Sequence, residues 1–445
     1  MRIQLSDHFT HKRLLRFVVS PICMMIFTSL YSIIDGFFVS NYVGKTPFAA
    51  LNLIFPVTMG IGTIGFMVGT GGSAIVSKTL GEGKKELASQ YFSLLVYSAA
   101  LFSTILSAVS IFFTPAISVA LGAGRESELF TNCVLYGRIL FAAEPFFVLQ
   151  ILFQNFFVTA EKPELSLKIS LLSGFTNAIL DFVFIVVLDW GLAGAALATA
   201  LGQAMGAIVP LIYFFRPNDS LLRLTKTTFH KWILTNTCIN GSSEMVSNLS
   251  SSLINILYNF QLMRIAGQDG VAAYGIVMYT NFIFLAVFIG YSIGSAPIVS
   301  YHYGAGTHKE LKNLFQKSLV LTCVSGIIMT FIAEISAAPL VRIFAGYDPQ
   351  LFAMTCRGFK LYSLSFLMMG VNVWGSGFFT ALNNGTISAA ISFLRTFLFQ
   401  VSMVLLLPTF LGIDGIWLAI VAAELLAFGI TAVFLIVMRK RYHYA

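Results

Sequence analysis

The stretch SGFTNAILDFVFIVVLDWGLAGAALATALGQ, residues 173–203, reads as two apolar helices joined by a tight Asp-Trp-Gly turn. Asn177 and Asp181 are four residues apart, so they share one helix face. Thr199 lies on the returning helix, where it can face them across the hairpin. A carboxylate in the middle of such a hairpin costs on the order of several kcal/mol unless it is paired, protonated or bound to a cation. A second acid of this kind, Asp35, sits in Tyr31-Ser32-Ile33-Ile34-Asp35-Gly36-Phe37, deep in the first apolar run. Two acids sunk in oil point to a chain that carries an ion across a membrane and couples it to something else.

The composition agrees with that class. Hydrophobic residues make up 57% of the 445 residues and charged residues only 10%, against roughly 25% charged in soluble domains. The net charge of +8 does not describe a nucleic-acid binder, because the basic residues are scattered in short joints between apolar runs. The five cysteines lie in or near apolar segments without a CxxC and read as small core residues. Residues 1–13 are polar and the first apolar run outlasts a signal-peptide core, so no cleavable signal peptide is expected. Twelve apolar runs of membrane-spanning length are predicted, centred near Met25, Gly65, Ala100, Phe147, Leu180, Gly202, Leu253, Phe284, Val324, Met369, Met403 and Ala423. With both termini in the cytoplasm, Lys and Arg on the inner side outnumber those outside by roughly three to one. That places the chain as a multi-pass protein of the inner (cytoplasmic) membrane, in contact with the lipid bilayer.

The two halves repeat. Gly72-Ser-Ala-Ile-Val-Ser77, followed by Gly81, Gly83 and Glu86-Leu87, returns as Gly294-Ser-Ala-Pro-Ile-Val-Ser300, followed by Gly304, Gly306 and Glu310-Leu311. Phe156 to Ala160 returns as Phe378 to Ala381, and Gly191-Leu192-Ala193-Gly194 as Gly412-Ile413-Asp414-Gly415. Three matches in the same order, with six spans on each side, predict parallel repeats about an axis along the membrane normal. The expected architecture is all-α: twelve transmembrane helices in two six-helix lobes related by a pseudo-twofold. Residues 1–215 would form one lobe, 216–233 a cytoplasmic linker, and 234–445 the other lobe.

Other polar groups in the apolar runs are weaker candidates. Tyr136 and either Gln154 or Asn155, on the fourth helix, could reach the Asp181 pocket, or could be ordinary helix–helix contacts. Glu144 precedes Pro145, a possible kink. In the second half Glu244 opens the seventh helix, and Asn255 and Asn259 share a face further along it. Arg395 and Glu424 read first as a salt bridge within their lobe and second as a coupling or substrate site. Pro21 is expected to break the first helix about four turns before Asp35 and let it bend. The glycines of the second helix (Gly60, Gly62, Gly65, Gly69, Gly71, Gly72) would let neighbouring backbones approach closely. No P-loop, metal-cluster spacing or nucleophile–base set is present, so the chain reads as a non-enzyme without cofactor, acting on small molecules and functioning as a monomer.

These residues resemble the multidrug and toxic compound extrusion (MATE) family, in its DinF-like and MepA-like bacterial branch, over nearly the whole chain. The resemblance rests on the Asp35 helix, the set Tyr136, Asn177, Asp181 and Thr199, the repeated Gly-Ser-Ala motif and the mid-chain linker. It implies a secondary antiporter of two lobes that exports lipophilic, usually cationic compounds in exchange for H⁺ or Na⁺ by alternating access. Asp35 would be the protonation-linked acid of the first helix, and Asn177, Asp181 and Thr199 would hold the ion; if the ion is Na⁺, Asp35, Asn177, Asp181 and Thr199 are the metal ligands. The other reading within the same superfamily is a lipid or lipid-linked oligosaccharide flippase, which would carry more basic residues in its cavity.

Overall fold

The computed structural model describes residues 3–346 and 348–445, with the side chains of residues 32–37, 40, 41 and 45 outside that description. Helices account for almost all of it, and no strand occurs among the described residues. The reason is the solvent: in lipid each backbone N–H and C=O must be satisfied within its own segment.

In chain order the helices are α1 (His11–Phe38), α2 (Lys45–Gly81), α3 (Lys85–Ala120), α4 (Glu128–Thr159), α5 (Pro163–Asp181) and α6 (Gly191–Phe215). A π-helical stretch, Phe182–Val187, prolongs α5 before the turn at Asp189. After an irregular connection come α7 (Lys231–Gly304), α8 (His308–Ala345), α9 (Pro349–Ser363), α10 (Phe366–Ala381), α11 (Gly385–Phe393), α12 (Gln400–Leu406), α13 (Pro408–Leu411) and α14 (Ile413–Tyr442). The 74-residue α7 is two spans, broken at Gly267, whose φ of 64° is open to glycine and strained for other residues. Helices α9 and α10 meet at 49° and form one bent span. Residues 385–411 form another, with a π-helical stretch at Leu394–Phe399. Counted this way, the described residues hold twelve helical stretches of membrane-spanning length, six in each half.

The expected break at Pro21 is corrected. Helix α1 continues through Pro21 from His11 to Phe38, and α4 continues through Pro145. A proline removes one backbone bond, and the turns on either side are held by packing. Gly290 of α7, for example, lies so close to α1 that a Cβ on it would sit 2.5 Å from the Cα of Ile22.

Each half has its own core. In the first, Phe92, Phe153, Phe156, Phe157 and Phe214 interlock with ring centroids 4.8–6.4 Å apart. In the second, Tyr258 and Tyr274 stack at 4.8 Å, and Phe366 stacks on Phe284 at 5.1 Å. The halves meet along α2 and α7, and the repeated glycines make the seam. A Cβ on Gly81 would lie 2.0 Å from the carbonyl oxygen of Tyr301, and one on Gly304 would lie 2.1 Å from that of Lys78. The same residue of each repeat thus seats the other repeat's backbone, at the end of the molecule that holds both termini.

That end is also strapped. The Leu5 N–H donates to Glu161 in the first half at 2.7 Å, while the Phe9 N–H donates to Glu310 in the second at 2.9 Å. Lys317 caps the Phe9 carbonyl at 2.6 Å, and Leu5 and Phe9 are fully buried. The C-terminus is held from the other side by Asn384, which donates to the Tyr442 hydroxyl at 2.9 Å.

Candidate functional site

Helix α5 begins at Pro163, whose missing N–H is harmless in a first turn, and ends where the acid sits. From Phe182 the backbone winds as a π-helix, so Asp181 lies at the junction of two helical pitches. Such widened turns occur often at functional positions, because they re-aim side chains. Asp181 is 0% exposed and Asn177 is 3% exposed, both turned inward. The Asn177 amide donates to the Thr199 hydroxyl of α6 at 3.4 Å, a long hydrogen bond across the hairpin. Gly202 permits that approach: a Cβ there would lie 2.9 Å from the Cβ of Asn177. The hairpin therefore pairs an amide with a hydroxyl, and Asp181 follows Asn177 by one turn on the same helix; carboxylate, amide and hydroxyl are the groups that a hard cation or a protonated acid would use.

Tyr136 is buried in the apolar cluster that includes Cys133, Ile185 of the π-helical stretch, and Leu192 and Ala195 of α6. It therefore shares a packing unit with the hairpin that carries Asp181. Asp35 is on α1, and its side chain lies outside the described residues. Helix α1 packs along α5 through Phe27 and Phe175, whose centroids are 5.5 Å apart, and the Ser166 hydroxyl lies 3.2 Å from the Met24 sulfur.

The remaining candidates separate. Gln154 donates to Ser170 at 3.1 Å, and Asn155 donates back to Ile151 of its own helix at 3.0 Å. Neither is hydrogen-bonded to the Asn177–Thr199 pair. The α4 side chain that reaches towards it is Gln150, which donates to Ser173 at 3.1 Å, one turn before Asn177. Sequence reasoning missed Gln150 and Ser173; the only available signal was the four-residue step from Gln150 to Gln154 along one face. Glu144 is 2% exposed inside the first half.

In the second half Arg395 and Glu424 form the expected ion pair, Nη1 to Oε1 at 3.3 Å. Asn372 of α10 completes it, donating to Glu424 Oε2 at 2.6 Å and to the Glu424 carbonyl at 2.9 Å. Glu244, half-buried, lies about four turns into α7 rather than at its start, within electrostatic reach of Arg395. Asn255 accepts from the Tyr274 hydroxyl at 2.7 Å, whereas Asn259 is exposed. Among the described residues no group of three or more His, Cys, Asp and Glu side chains gathers as a metal cluster would.

Comparison with known proteins adds three findings. The family model described as MatE matches residues 21–183 and 245–406, one block in each half. The multidrug export protein MepA of Staphylococcus haemolyticus is 24% identical over 422 residues, an alignment that covers 94% of this chain and 91% of that one. Among solved structures, a MATE in complex with MaL6 superposes with a TM-score of 0.93 at 19% identity, covering 98% of both chains. An outward-facing multidrug resistance MATE family transporter superposes with a TM-score of 0.90 at 20% identity, again covering 98% of both chains.

Proposed function

The chain belongs to the MatE family of transporters, and from that premise we propose that it is a cation-coupled antiporter exporting lipophilic, cationic small molecules. The observation that carries the reading is Asp181: a fully buried carboxyl on α5, one helical turn beyond the Asn177 that bonds Thr199. The mechanism is competition through conformation. A proton or sodium ion on Asp181 favours one arrangement of the halves and the passenger favours the other, since a ligand with equal affinity for both would shift nothing. Asn177 and Thr199 supply neutral oxygens to the ion and Tyr136 closes the pocket from α4. Asp35 on α1 is the second acid of the cycle. Inward flow of the ion then drives the passenger out.

The sidedness follows from the basic residues. With both termini cytoplasmic, the glycine seam of Gly81 and Gly304 and the N-terminal strap close the cytoplasmic side of this conformation. Residues 1–215 and 234–445 are the moving lobes, and 216–233 links them. A flippase for lipid-linked sugars would draw on free basic side chains facing the cavity. Here Arg395 is taken up by Glu424, which favours the drug exporter.

The test is efflux of a fluorescent lipophilic cation from cells expressing the wild type, Asp181→Asn or Asp35→Asn at matched membrane levels. Both variants are expected to retain the dye. Efflux at the wild-type rate in both would refute ion coupling through these acids.

A further inference from the structure

At the strapped end, a cavity of about 380 Å³ opens between α1, the start of α5 and the end of α6, lined by Arg16, Lys162, Glu164, Lys168 and Asp219 and bordered by Ile3. We infer that it is a binding site for the phosphate-bearing headgroup of an anionic membrane phospholipid. The charges around it are of two kinds. Lys162 is already committed to Asp219, 2.7 Å away, and Glu161 at the rim accepts from the Leu5 N–H. Glu164 is exposed in the first turn of α5, where a carboxylate suits the helix dipole. Arg16 and Lys168 make no ion pair among the described residues. Two uncommitted cations face one cavity from two helices.

Their position selects a lipid over a soluble anion. Arg16 is the sixth residue of α1 and Lys168 the sixth of α5, so both sit within two turns of the same ends of their helices, where long basic side chains reach a headgroup layer. Below Lys168, Leu172, Phe175 and Ile179 continue the same helix face at four-, three- and four-residue steps, and they are 42%, 56% and 61% exposed. Leu15 and Val19 on α1 are 41% and 49% exposed. An acyl chain can lie along this apolar stripe while its phosphate sits between the two cations. Basic pockets between spans at the cytoplasmic surface recognise anionic headgroups in this way. The seam so occupied joins the two helices that carry Asp35 and Asp181, although the lipid assignment does not depend on transport.

Native mass spectrometry of the purified protein with phosphatidylglycerol or phosphatidylcholine tests this. The wild type should retain one phosphatidylglycerol in preference to phosphatidylcholine, and millimolar inorganic phosphate should not displace it. In Arg16→Gln/Lys168→Gln that preference should fall roughly twenty-five-fold, the product of about fivefold for each lost cation. Lys309→Gln/Lys312→Gln, on the same face of the other half, should keep it, as should the charge-preserving Arg16→Lys/Lys168→Arg. Equal retention of the two lipids by the wild type, displacement by phosphate, or full retention in Arg16→Gln/Lys168→Gln would each overturn the assignment. If the double variant does not fold, Arg16→Gln and Lys168→Gln taken singly carry the test: each should lose about fivefold of the preference, and full retention in both would overturn the assignment.

Discussion

The two halves carry the same polar skeleton and fill it with different chemistry. In the first half Ser166 donates to the carbonyl of Gln154, and in the second Ser388 donates to that of Ser376, each pair 12 residues apart. Gln154 with Ser170 and Ser376 with Ser392 are matched at a separation of 16. At a separation of 29 the match persists in position but not in charge: the Ser173 hydroxyl donates to the Gly202 carbonyl at 2.7 Å, whereas Arg395 pairs with Glu424 at 3.3 Å. Gln150 and Asn372 occupy the third corner of each node. Counting on from Ser166 and Ser388, Asn177 and Asp181 correspond to Phe399 and Met403. One half therefore neutralises its buried acid with a fixed guanidinium. The other carries Asp181 further along α5, one turn beyond the Asn177 that bonds Thr199. A carboxylate with a permanent cationic partner has no need of an exchangeable ion, and a carboxylate among neutral oxygens does. Under the proposed function, the second half's node is the locked one and the first half's is the working one.

The largest expected effect is on the working node. Asp181→Asn should lower efflux of a lipophilic cation by roughly tenfold or more, because removing one member of a coupled set disables the unit. Glu424→Gln should leave a larger share of transport, and equal losses in the two variants would erase the distinction between the halves.

The next effect concerns stability. Arg395→Met strands Glu424 in the second core and should cost about 3–5 kcal/mol, while Arg395→Met/Glu424→Met should recover most of that. Thermal unfolding of the purified variants checks this; a double variant no more stable than Arg395→Met would mean that the pair is not self-contained. The neutral node offers the contrast, since Ser173→Ala should cost only about 1 kcal/mol.

A smaller effect is expected at the ligating oxygens. Thr199→Val removes one hydroxyl and should weaken cation binding about fivefold, the worth of one hydrogen bond, with Asp181 still able to exchange its ion. Binding of the coupling cation to the purified protein measures it. Smallest of all, Ser166→Ala and Ser388→Ala should each cost about 0.5–1.5 kcal/mol and cost the same. Unequal losses would show that the skeleton is shared in geometry only.

Much of this was legible in the residues. The Asp-Trp-Gly turn, the buried acid and the ordered Gly-Ser-Ala repeats led to the hairpin, the twelve spans and the pseudo-twofold, because apolar length and glycine spacing are local signals. The Arg395–Glu424 pair was also readable, as two opposite charges that an apolar half must bring together. The choice between Gln154 and Asn155 was not. Helix α4 is apolar on every side, so no amphipathic stripe says which of two adjacent amides turns towards α5, and the structure turns Gln150 there instead. Serines at 166, 170 and 173 were equally silent, since a serine in a span is as often a self-satisfied hydroxyl as a contact. The N-terminal strap was hidden for a different reason: Leu5 and Phe9 are ordinary apolar residues in a polar segment, and their burial depends on Glu161 and Glu310, more than a hundred residues away.

The most direct measurement is transport by the purified protein in proteoliposomes, with proton and sodium gradients imposed separately on wild type and Asp181→Asn. The account predicts that one of the two gradients drives uphill movement of a lipophilic cation by the wild type, and that Asp181→Asn abolishes the drive while facilitated exchange of the passenger persists. Uphill transport by Asp181→Asn under the same gradient would contradict it.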